Sequence, residues 1–319
     1  VGAVAAPRLP EFFGNSAATV GRHLLARDTD GFYRLRPAFA AAEARQAWYA
    51  RAGLKPVADE IEEGVTRLGY EVLFLEDPDQ PDRFHPRINL MDTALFRALT
   101  AAEQKALRAL HDDFYFRRHS RFWEREAMKK LPALMDASPM LICGEDLGMV
   151  PDSVPVVLQR LGLLSLEVQR WPKRLGQRLG RPEDYPYLSV CTTSTHDMST
   201  LRGWWEEEPE LRQLFWTEVM EREGVAPEEC SPEICRFIIE QNLAAASMWC
   251  ILPLQDWLGM DARWRRPVAA EERINVPANP QHYWCYRMHL TIEQLLEAET
   301  TNRTIAGRIA AAGRGRAED

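Results

Sequence analysis

Polar side chains stand at four points where an apolar run of the sequence ends. They are Gly144-Glu145-Asp146, Gln169-Arg170, Thr195-His196-Asp197 and Gln255-Asp256. Carboxyl and imidazole groups in such positions can transfer protons and stabilise developing positive charge. The chain has no GxGxxG before a helix and no P-loop, GxSxG or HExxH motif, so the chemistries that depend on those motifs lack their residues.

Four apolar runs, each about as long as a strand, precede these polar positions. They are residues 140–143, 164–168, 188–192 and 247–252. The first three begin 24 residues apart, about one βα unit, and the fourth begins 59 residues later, which leaves room for two helices. This spacing predicts parallel strands in an α/β fold. The unbroken apolarity of the first run predicts a strand buried on both faces.

The carboxyl ends of parallel strands meet at one rim, where α/β proteins bind ligands. Glu145 and Asp197 follow strands that are two apart, so their carboxyls could face one pocket. Glycosidic cleavage needs such a pair, one acid to protonate the leaving oxygen and one carboxylate to support an oxocarbenium-like transition state. His196 could donate to a sugar hydroxyl. Taken singly, Glu145 and Asp146 could be a solvated turn and His196 a structural histidine, but four polar strand ends together favour an active site.

Composition narrows the function classes. The 319 residues are 46% hydrophobic, and 39 basic against 47 acidic residues give a formal charge of −8 without a basic block, so no nucleic-acid partner is predicted. The longest apolar run, residues 243–254, is shorter than the roughly 20 residues of a membrane span, so no membrane partner is predicted either. No cysteine stands in a CxxC pair or at metal-ligand spacing, which predicts a reducing cytoplasm and no metal or cofactor. The six are Cys143, Cys191, Cys230, Cys235, Cys250 and Cys285.

The first 137 residues show no βα alternation. Residues 40–52 and 56–68 carry helix formers or apolar residues at helical spacing, and Thr100-Ala101-Ala102-Glu103 is a capping box. The sequence therefore predicts two parts, a mainly helical subdomain over residues 1–137 and an α/β part over residues 138–319.

Several motifs resemble those of the 4-alpha-glucanotransferases, the amylomaltase or disproportionating-enzyme family. They are Cys143-Gly144-Glu145-Asp146-Leu147-Gly148, Ser194-Thr195-His196-Asp197, Leu254-Gln255-Asp256 and Arg273-Ile274-Asn275-Val276-Pro277. Residues 200–207, residues 280–284 and the helical block before residue 137 are similar to the long form of these enzymes, which carries an insertion and acts on maltose and branched glucans. The resemblance runs in the same order from about Leu24 to the C-terminus.

The resemblance implies a fold and a reaction. Residues 138–319 would form strands five to eight of a (β/α)8 barrel, with their helices and a C-terminal helix, after an insertion subdomain. The enzyme would transfer α-1,4-glucan segments from maltose, maltodextrin or branched glucan to a glucan or glucose acceptor by a retaining mechanism. By resemblance, Glu145 is the general acid/base, Asp197 the stabilising carboxylate and His196 a sugar ligand. Asp146, Gln255 and Asn275 match positions near the donor site.

The family's nucleophile is missing from the expected motif. In the family, this nucleophile is the Asp of an Arg-x-Asp motif. The similar segment Arg87-Ile88-Asn89 of this chain has an asparagine in place of that Asp. The resemblance implies that the nucleophile lies upstream of Val1 and that these 319 residues alone are inactive; within the chain, Asp92 or Asp256 are the remaining candidates.

Three tryptophans, Trp204, Trp205 and Trp284, could stack on sugars, with core packing as the alternative. Two other functions stay open beside the transferase, an α-glucan hydrolase on the same barrel and a catalytically silent glucan-binding protein.

Overall fold

Short strands and longer helices make up the secondary structure of this α/β protein. A computed structural model describes residues 2–29, 31–148, 150–174, 176–284 and 286–315. Cys285 lies outside the described residues, as does Met149 in the loop after Glu145 and Asp146. The strands are β1 (Ala3–Ala5), β2 (Leu25–Arg27), β3 (Phe32–Leu35), β4 (Phe74–Glu76), β5 (Phe84–Pro86), β6 (Ser165–Val168), β7 (Ser189–Thr192) and β8 (Trp249–Cys250).

The helices begin and end at the following residues. They are α1 (Leu9–Phe13), α2 (Ala17–His23), α3 (Ala42–Ala52), α4 (Ala58–Gly69), α5 (Ala94–Ala98), α6 (Ala101–Asp112), α7 (Ser120–Asp136), α8 (Ser153–Leu161), α9 (Leu201–Glu207), α10 (Pro209–Leu214), α11 (Pro232–Leu243), α12 (Leu254–Gly259), α13 (Ile292–Glu297) and α14 (Glu299–Ala311). None of the helices in the described ranges has both the length and the apolarity that a membrane span requires.

Two compact units share the chain. They are Val1–Phe122 and Trp123–Asp319. The boundary between a helical subdomain and a half-barrel, expected at residue 137, stays a prediction.

The first unit packs helices around a small antiparallel sheet. Its strands have the order β1-β3-β2, and β4 pairs with β5 in a separate antiparallel hairpin. Helices α3 and α4 form in the two predicted stretches, and Thr100 and Glu103 make the reciprocal bonds of the predicted capping box. The sequence analysis missed the strands of this unit, because each has only three or four residues, too few for an alternating pattern to show.

The second unit contains a parallel sheet of the order β6-β7-β8. Val168 pairs with Thr192 between β6 and β7, and Cys191 pairs with Cys250 between β7 and β8. Three of the four predicted strands are therefore present and parallel, although β8 covers only two residues of its predicted six. No closed barrel forms among the described residues.

The prediction that residues 140–143 form a strand buried on both faces is wrong. This segment meets the sheet through an isolated parallel bridge between Cys143 and Leu164, and the Gly144 N–H donates to the Leu164 carbonyl at 2.8 Å. Met140 and Leu141 are 74% and 53% exposed. An apolar run is buried only where neighbouring elements cover both faces, and in the described chain this segment has a backbone partner on one side alone.

The main core of the second unit lies among α9, α10 and α11. Trp204 and Trp205 are buried and meet Phe215 edge to face, with centroids 5.6 and 6.1 Å apart, so the core alternative for these two tryptophans is confirmed. Helix α11 begins where the Ser231 hydroxyl accepts from the Ile234 N–H, with proline at the first helical position.

This packing predicts a large difference between two tryptophans. Trp205 is fully buried and its Nε1 donates to the Pro227 carbonyl at 2.8 Å, whereas Trp171 is 49% exposed. Trp205→Ala should lower the free energy of unfolding by about 3–5 kcal/mol. Trp171→Ala should change it by less than about 0.5 kcal/mol. Urea unfolding followed by circular dichroism measures both, and similar losses would contradict this account of the core.

Candidate active-site cleft

A cleft of about 220 Å³ opens at the carboxyl ends of β7 and β8. Thr195 and His196 line it from the segment after β7, and Pro253 and Gln255 line it from the segment after β8. Apolar side chains such as Ile274 complete the lining. The cleft therefore lies at the edge of the sheet where parallel α/β folds bind ligands.

Beside the cleft, the Asp197 carboxylate meets two polar side chains. The Asn275 amide donates to Asp197 Oδ1 at 2.7 Å, and His196 Nε2 lies 3.2 Å from Oδ2. The His196 ring packs against Trp284 with centroids 4.8 Å apart and an interplanar angle of 45°. The side chains of His196 and Asp197 are 53% and 54% exposed. The structure thus brings three predicted site residues together, within reach of a ligand.

A buried carboxylate holds the loop that carries this group. Asp256 follows β8 and accepts hydrogen bonds from the Thr193 hydroxyl at 2.5 Å, the Ser194 hydroxyl at 2.8 Å and the Leu201 N–H at 2.9 Å. These donors flank the loop between β7 and α9, in which Asp197 lies. Because Asp256 is buried and saturated with donors, it positions the loop and cannot serve as the nucleophile considered from the sequence.

An ion pair is buried next to the same cleft. Arg202 Nη1 lies 2.5 Å from Glu272 Oε1, and the two side chains are only 2% and 3% exposed. The Thr200 hydroxyl donates to the other Glu272 oxygen at 3.2 Å, and the Gln255 amide, itself buried, donates to the Glu272 carbonyl at 3.4 Å. Burial raises the pKa of Glu272, although Arg202 opposes the rise. Gln255 thus lines the cleft from a fixed position.

Arg170, which follows β6, contacts the segment after Asp197 and places a positive charge beside it. Its guanidinium donates to the Ser199 carbonyl and lies over the Trp204 ring, 5.9 Å from the centroid. Burial lowers the pKa of Arg170 to about 10, while Asp256 and nearby glutamates oppose this change. Arg170 therefore remains charged at neutral pH.

Glu145 and Asp146 lie at another part of the same sheet edge. Asp146 accepts from the Leu166 N–H at 2.9 Å and pairs with Lys173 at 2.7 Å, so its carboxylate already has structural partners. Glu145 is exposed and accepts only a local bond, from the Leu147 N–H at 2.7 Å. The order of parallel backbone segments puts β6 between the Glu145 and Asp197 strand ends, a lateral separation of roughly 10 Å. Glu145 is not among the residues that line the cleft in the described chain.

Metal-ligand and disulfide sites are not found in the described ranges. No three His, Cys, Asp or Glu side chains there could hold a metal ion. The described cysteines are free thiols, and Cys230 and Cys235 place their sulfurs 3.5 Å apart without a bond.

Comparisons with known proteins identify the family. The sequence profile described as 4-alpha-glucanotransferase matches residues 45–291, which is most of the chain. The chain belongs to the 4-alpha-glucanotransferase family. Glu145, His196, Asp197, Gln255 and Asn275 all lie inside the matched region of this family.

Relatives of the chain carry the same family name. The rice (Oryza sativa subsp. japonica) 4-alpha-glucanotransferase DPE2 is 41% identical over 256 residues, which are 80% of this chain and 27% of the rice protein. The Chlamydia caviae 4-alpha-glucanotransferase is 30% identical over 187 residues, 55% of this chain and 33% of that protein. The chain thus spans about a quarter to a third of the length of these relatives.

One solved structure among those that match is an amylomaltase from Streptococcus agalactiae in complex with acarbose. It is 16% identical, with a TM-score of 0.44, and the match covers 98% of this chain and 55% of the amylomaltase.

Sequence analysis of this 4-alpha-glucanotransferase family member missed the polar groups that support the cleft. Arg202 and Glu272 are 70 positions apart, and Asp256 bonds to residues more than 50 positions away. No local spacing reveals partners at such separations.

The Asp256 hydrogen bonds predict a specific cost of removing one carboxylate oxygen. In Asp256→Asn, the amide group replaces an acceptor and leaves at least one of three buried donors without a partner. The free energy of unfolding should fall by about 1–3 kcal/mol. Asp184→Asn is the matched control, because Asp184 is exposed and its nearest basic nitrogen in its ion pair with Arg181 is 4.0 Å away. Equal losses in the two variants would remove Asp256 from its structural role.

The free energy of unfolding of the native chain and that of Asp256→Asn should also depend differently on pH. Burial raises the pKa of Asp256 in the folded chain, and bonds from Thr193, Leu201 and Ser194 offset this only in part. The folded protein therefore holds this proton more tightly than the unfolded chain does. The stability advantage of the native chain over Asp256→Asn should be largest below the unfolded pKa of about 3.9, fall as pH rises to the folded pKa, and then stay constant. Denaturant unfolding of the native chain and of Asp256→Asn across this pH range measures the difference in their free energies of unfolding. A difference that grows with pH would show that the hydrogen bonds affect the pKa of Asp256 more than burial does.

Proposed function

We propose that this chain supplies the acid/base and charge-stabilising side of a 4-alpha-glucanotransferase active site. The reaction transfers α-1,4-glucan segments from maltose, maltodextrin or branched glucan to a glucan or glucose acceptor. The observation that carries the proposal is the exposed contact group of His196, Asp197, Asn275 and Trp284 beside a cleft at the carboxyl edge of a parallel sheet. Family membership supports the reaction class.

Asp197 is the carboxylate that stabilises the oxocarbenium-like transition state. Its charge is held in place by Asn275 and His196, and its side chain is 54% exposed, so a sugar ring can approach it. An oriented carboxylate is most useful where positive charge develops on the sugar, so it lowers the barrier more than it strengthens ground-state binding. His196 and Asn275 also offer hydrogen bonds to sugar hydroxyls.

Glu145 is the general acid/base. It protonates the departing sugar and then removes the proton from the 4-hydroxyl of the acceptor, as a retaining mechanism requires. Its exposed carboxylate has one local donor, which leaves an oxygen available for this exchange. The nucleophile is assigned to no residue of this chain, since Arg87-Ile88-Asn89 carries an amide where a carboxylate is needed.

Trp284 and the fold complete the proposal. Trp284 is half exposed beside His196 and offers a flat face for a glucosyl ring, which would hold the acceptor and exclude water.

Residues 138–319 form strands five to eight of a (β/α)8 barrel, and residues 1–137 are an insertion subdomain. Asp146 and Gln255 complete the donor site, and the cysteine pattern favours a cytoplasmic protein.

The acid/base role predicts a large loss of turnover without a loss of binding. In a full-length protein that contains this segment, Glu145→Gln should lower glucan transfer from maltotriose by about 10²- to 10⁴-fold, because the amide cannot shuttle a proton. Glucan affinity should stay within about threefold. Glu183→Gln removes a charge from an exposed glutamate bound to Arg181 and serves as the control. Activity of Glu145→Gln within about threefold of the native protein excludes this role.

The products of the same assay separate the alternatives. A ladder of oligomers longer than maltotriose indicates a transferase, whereas glucose and maltose alone indicate a hydrolase. Binding without any product indicates a silent glucan-binding protein.

A further inference from the structure

A second cavity, of about 330 Å³, lies in the second unit. None of its lining residues lines the first cleft, so it is a separate site. It is formed by the start of α11, the segment after α12 and the start of α14. The residues that matter here are Pro232, Arg236, Asp261, Thr300, Thr301 and Thr304.

Arg236 is a half-buried cation in this cavity without a counter-ion. Its Nε is buried and has no hydrogen-bond partner, and no ion pair joins its guanidinium to a carboxylate within the described ranges. The neighbouring Arg308 has its own partner, Glu240. After burial, the charge of Arg236 is the second cause that lowers the pKa of Arg308, so the two guanidinium groups are close.

The acidic side chain in the cavity does not compensate Arg236. Asp261 accepts from Arg263 Nη2 at 2.8 Å, from the Arg263 N–H at 3.0 Å and from the Thr301 hydroxyl at 2.6 Å. The acids that open the two helices are also paired, Glu233 with Arg222 at 3.7 Å and Glu299 with Arg303 at 3.3 Å. The cavity therefore holds one positive charge in excess.

Two helix N-termini add to this excess of positive potential. Pro232 is the first residue of α11, which has 12 residues, and Thr300 is the second residue of α14, which has 13. First-turn N–H groups have no acceptor within their own helix, and the helix dipole favours an anion there. The Thr300 hydroxyl makes no hydrogen bond in the described chain and is a further donor. The Thr304 hydroxyl donates to the Thr300 carbonyl at 2.8 Å.

We propose that this cavity binds a phosphate oxyanion, either inorganic phosphate or the phosphate group of a sugar ester. Arg236 donates two N–H bonds to two phosphate oxygens, and the Thr300 hydroxyl and the first-turn N–H groups of α14 bind the others. A guanidinium fork matches a tetrahedral oxyanion, and such charge-assisted bonds are stronger than bonds between neutral groups. This site is independent of the glucan cleft and of the activity proposed for it.

Isothermal titration of the 319-residue chain tests the site with inorganic phosphate, glucose 1-phosphate and glucose. Phosphate and glucose 1-phosphate should bind saturably, whereas any binding of glucose belongs to the acceptor cleft and should be the same in the native chain and in Arg236→Gln. Arg236→Gln should lower the affinity for both anions by about tenfold or more. Arg236→Lys keeps the charge but loses the two-pronged guanidinium, so it should lower these affinities less. Arg181→Gln is the matched control, because it removes an exposed arginine that is paired with Glu183 and does not line the cavity, and it should leave both affinities unchanged.

The outcomes separate the two sources and can overturn the proposal. Tighter binding of glucose 1-phosphate than of phosphate indicates a sugar ester, and equal binding indicates free phosphate. Absence of anion binding, equal anion affinity of the native chain and Arg236→Gln, or a loss of glucose affinity in Arg236→Gln as large as the loss of glucose 1-phosphate affinity overturns the oxyanion site. Thermal melts establish that the variants fold, and Thr300→Ala, expected to weaken phosphate binding severalfold, tests the site if Arg236→Gln does not.

Discussion

The candidate active site depends on one buried carboxylate. Asp256 lies in the first turn of α12, after β8, and accepts hydrogen bonds from both sides of the loop that leaves β7. Transfer of an ionised carboxylate from water into a protein interior is costly unless donors replace the lost water. Three buried donors offset part of that cost, and they do so only when α12 and the loop after β7 stand in one relative position. The same bonds therefore stabilise the carboxylate and define the path of the loop that presents His196 and Asp197.

The Arg202–Glu272 pair extends this buried polar layer. Glu272 lines the cleft, and Asp256 is one of the groups whose negative charge raises its pKa. Buried ion pairs contribute little net stability compared with apolar packing, but loss of one partner leaves an unpaired buried charge. Their effect here is positional, because Thr200, Gln255 and Arg202 all bond to Glu272 and so connect α9, α12 and the segment before Asn275.

Solvent exposure distinguishes the carboxylates of the supporting layer from those of the proposed binding surface. Asp256, Glu272 and Asp146 have nearby donors for their oxygens, whereas Glu145 and Asp197 keep exposed carboxylates. Among the cations, Arg236 differs from Arg202, because no acidic side chain in the described ranges forms an ion pair with Arg236. Groups that remain available to solvent or to an unfilled cavity can exchange those contacts for a ligand at small cost.

Local patterns in the sequence determined the parallel strands β6 and β7, the capping box of α6 and the family motifs. Apolar runs, caps and short motifs depend on neighbours along the chain, so they can be recognised without coordinates. The polar strand ends also predicted that His196 and Asp197 lie at one rim, whereas Asn275 was predicted only through the resemblance to the family.

Tertiary structure alone decided which polar groups support the site and which face a ligand. The exposure of Met140 and Leu141, the burial of Trp204 and Trp205, and the roles of Asp256 and Arg236 depend on residues brought close from distant positions. Residue type reports that a side chain is apolar or charged. Whether it is covered, and by which partner, is determined by packing between distant segments, which local spacing does not encode.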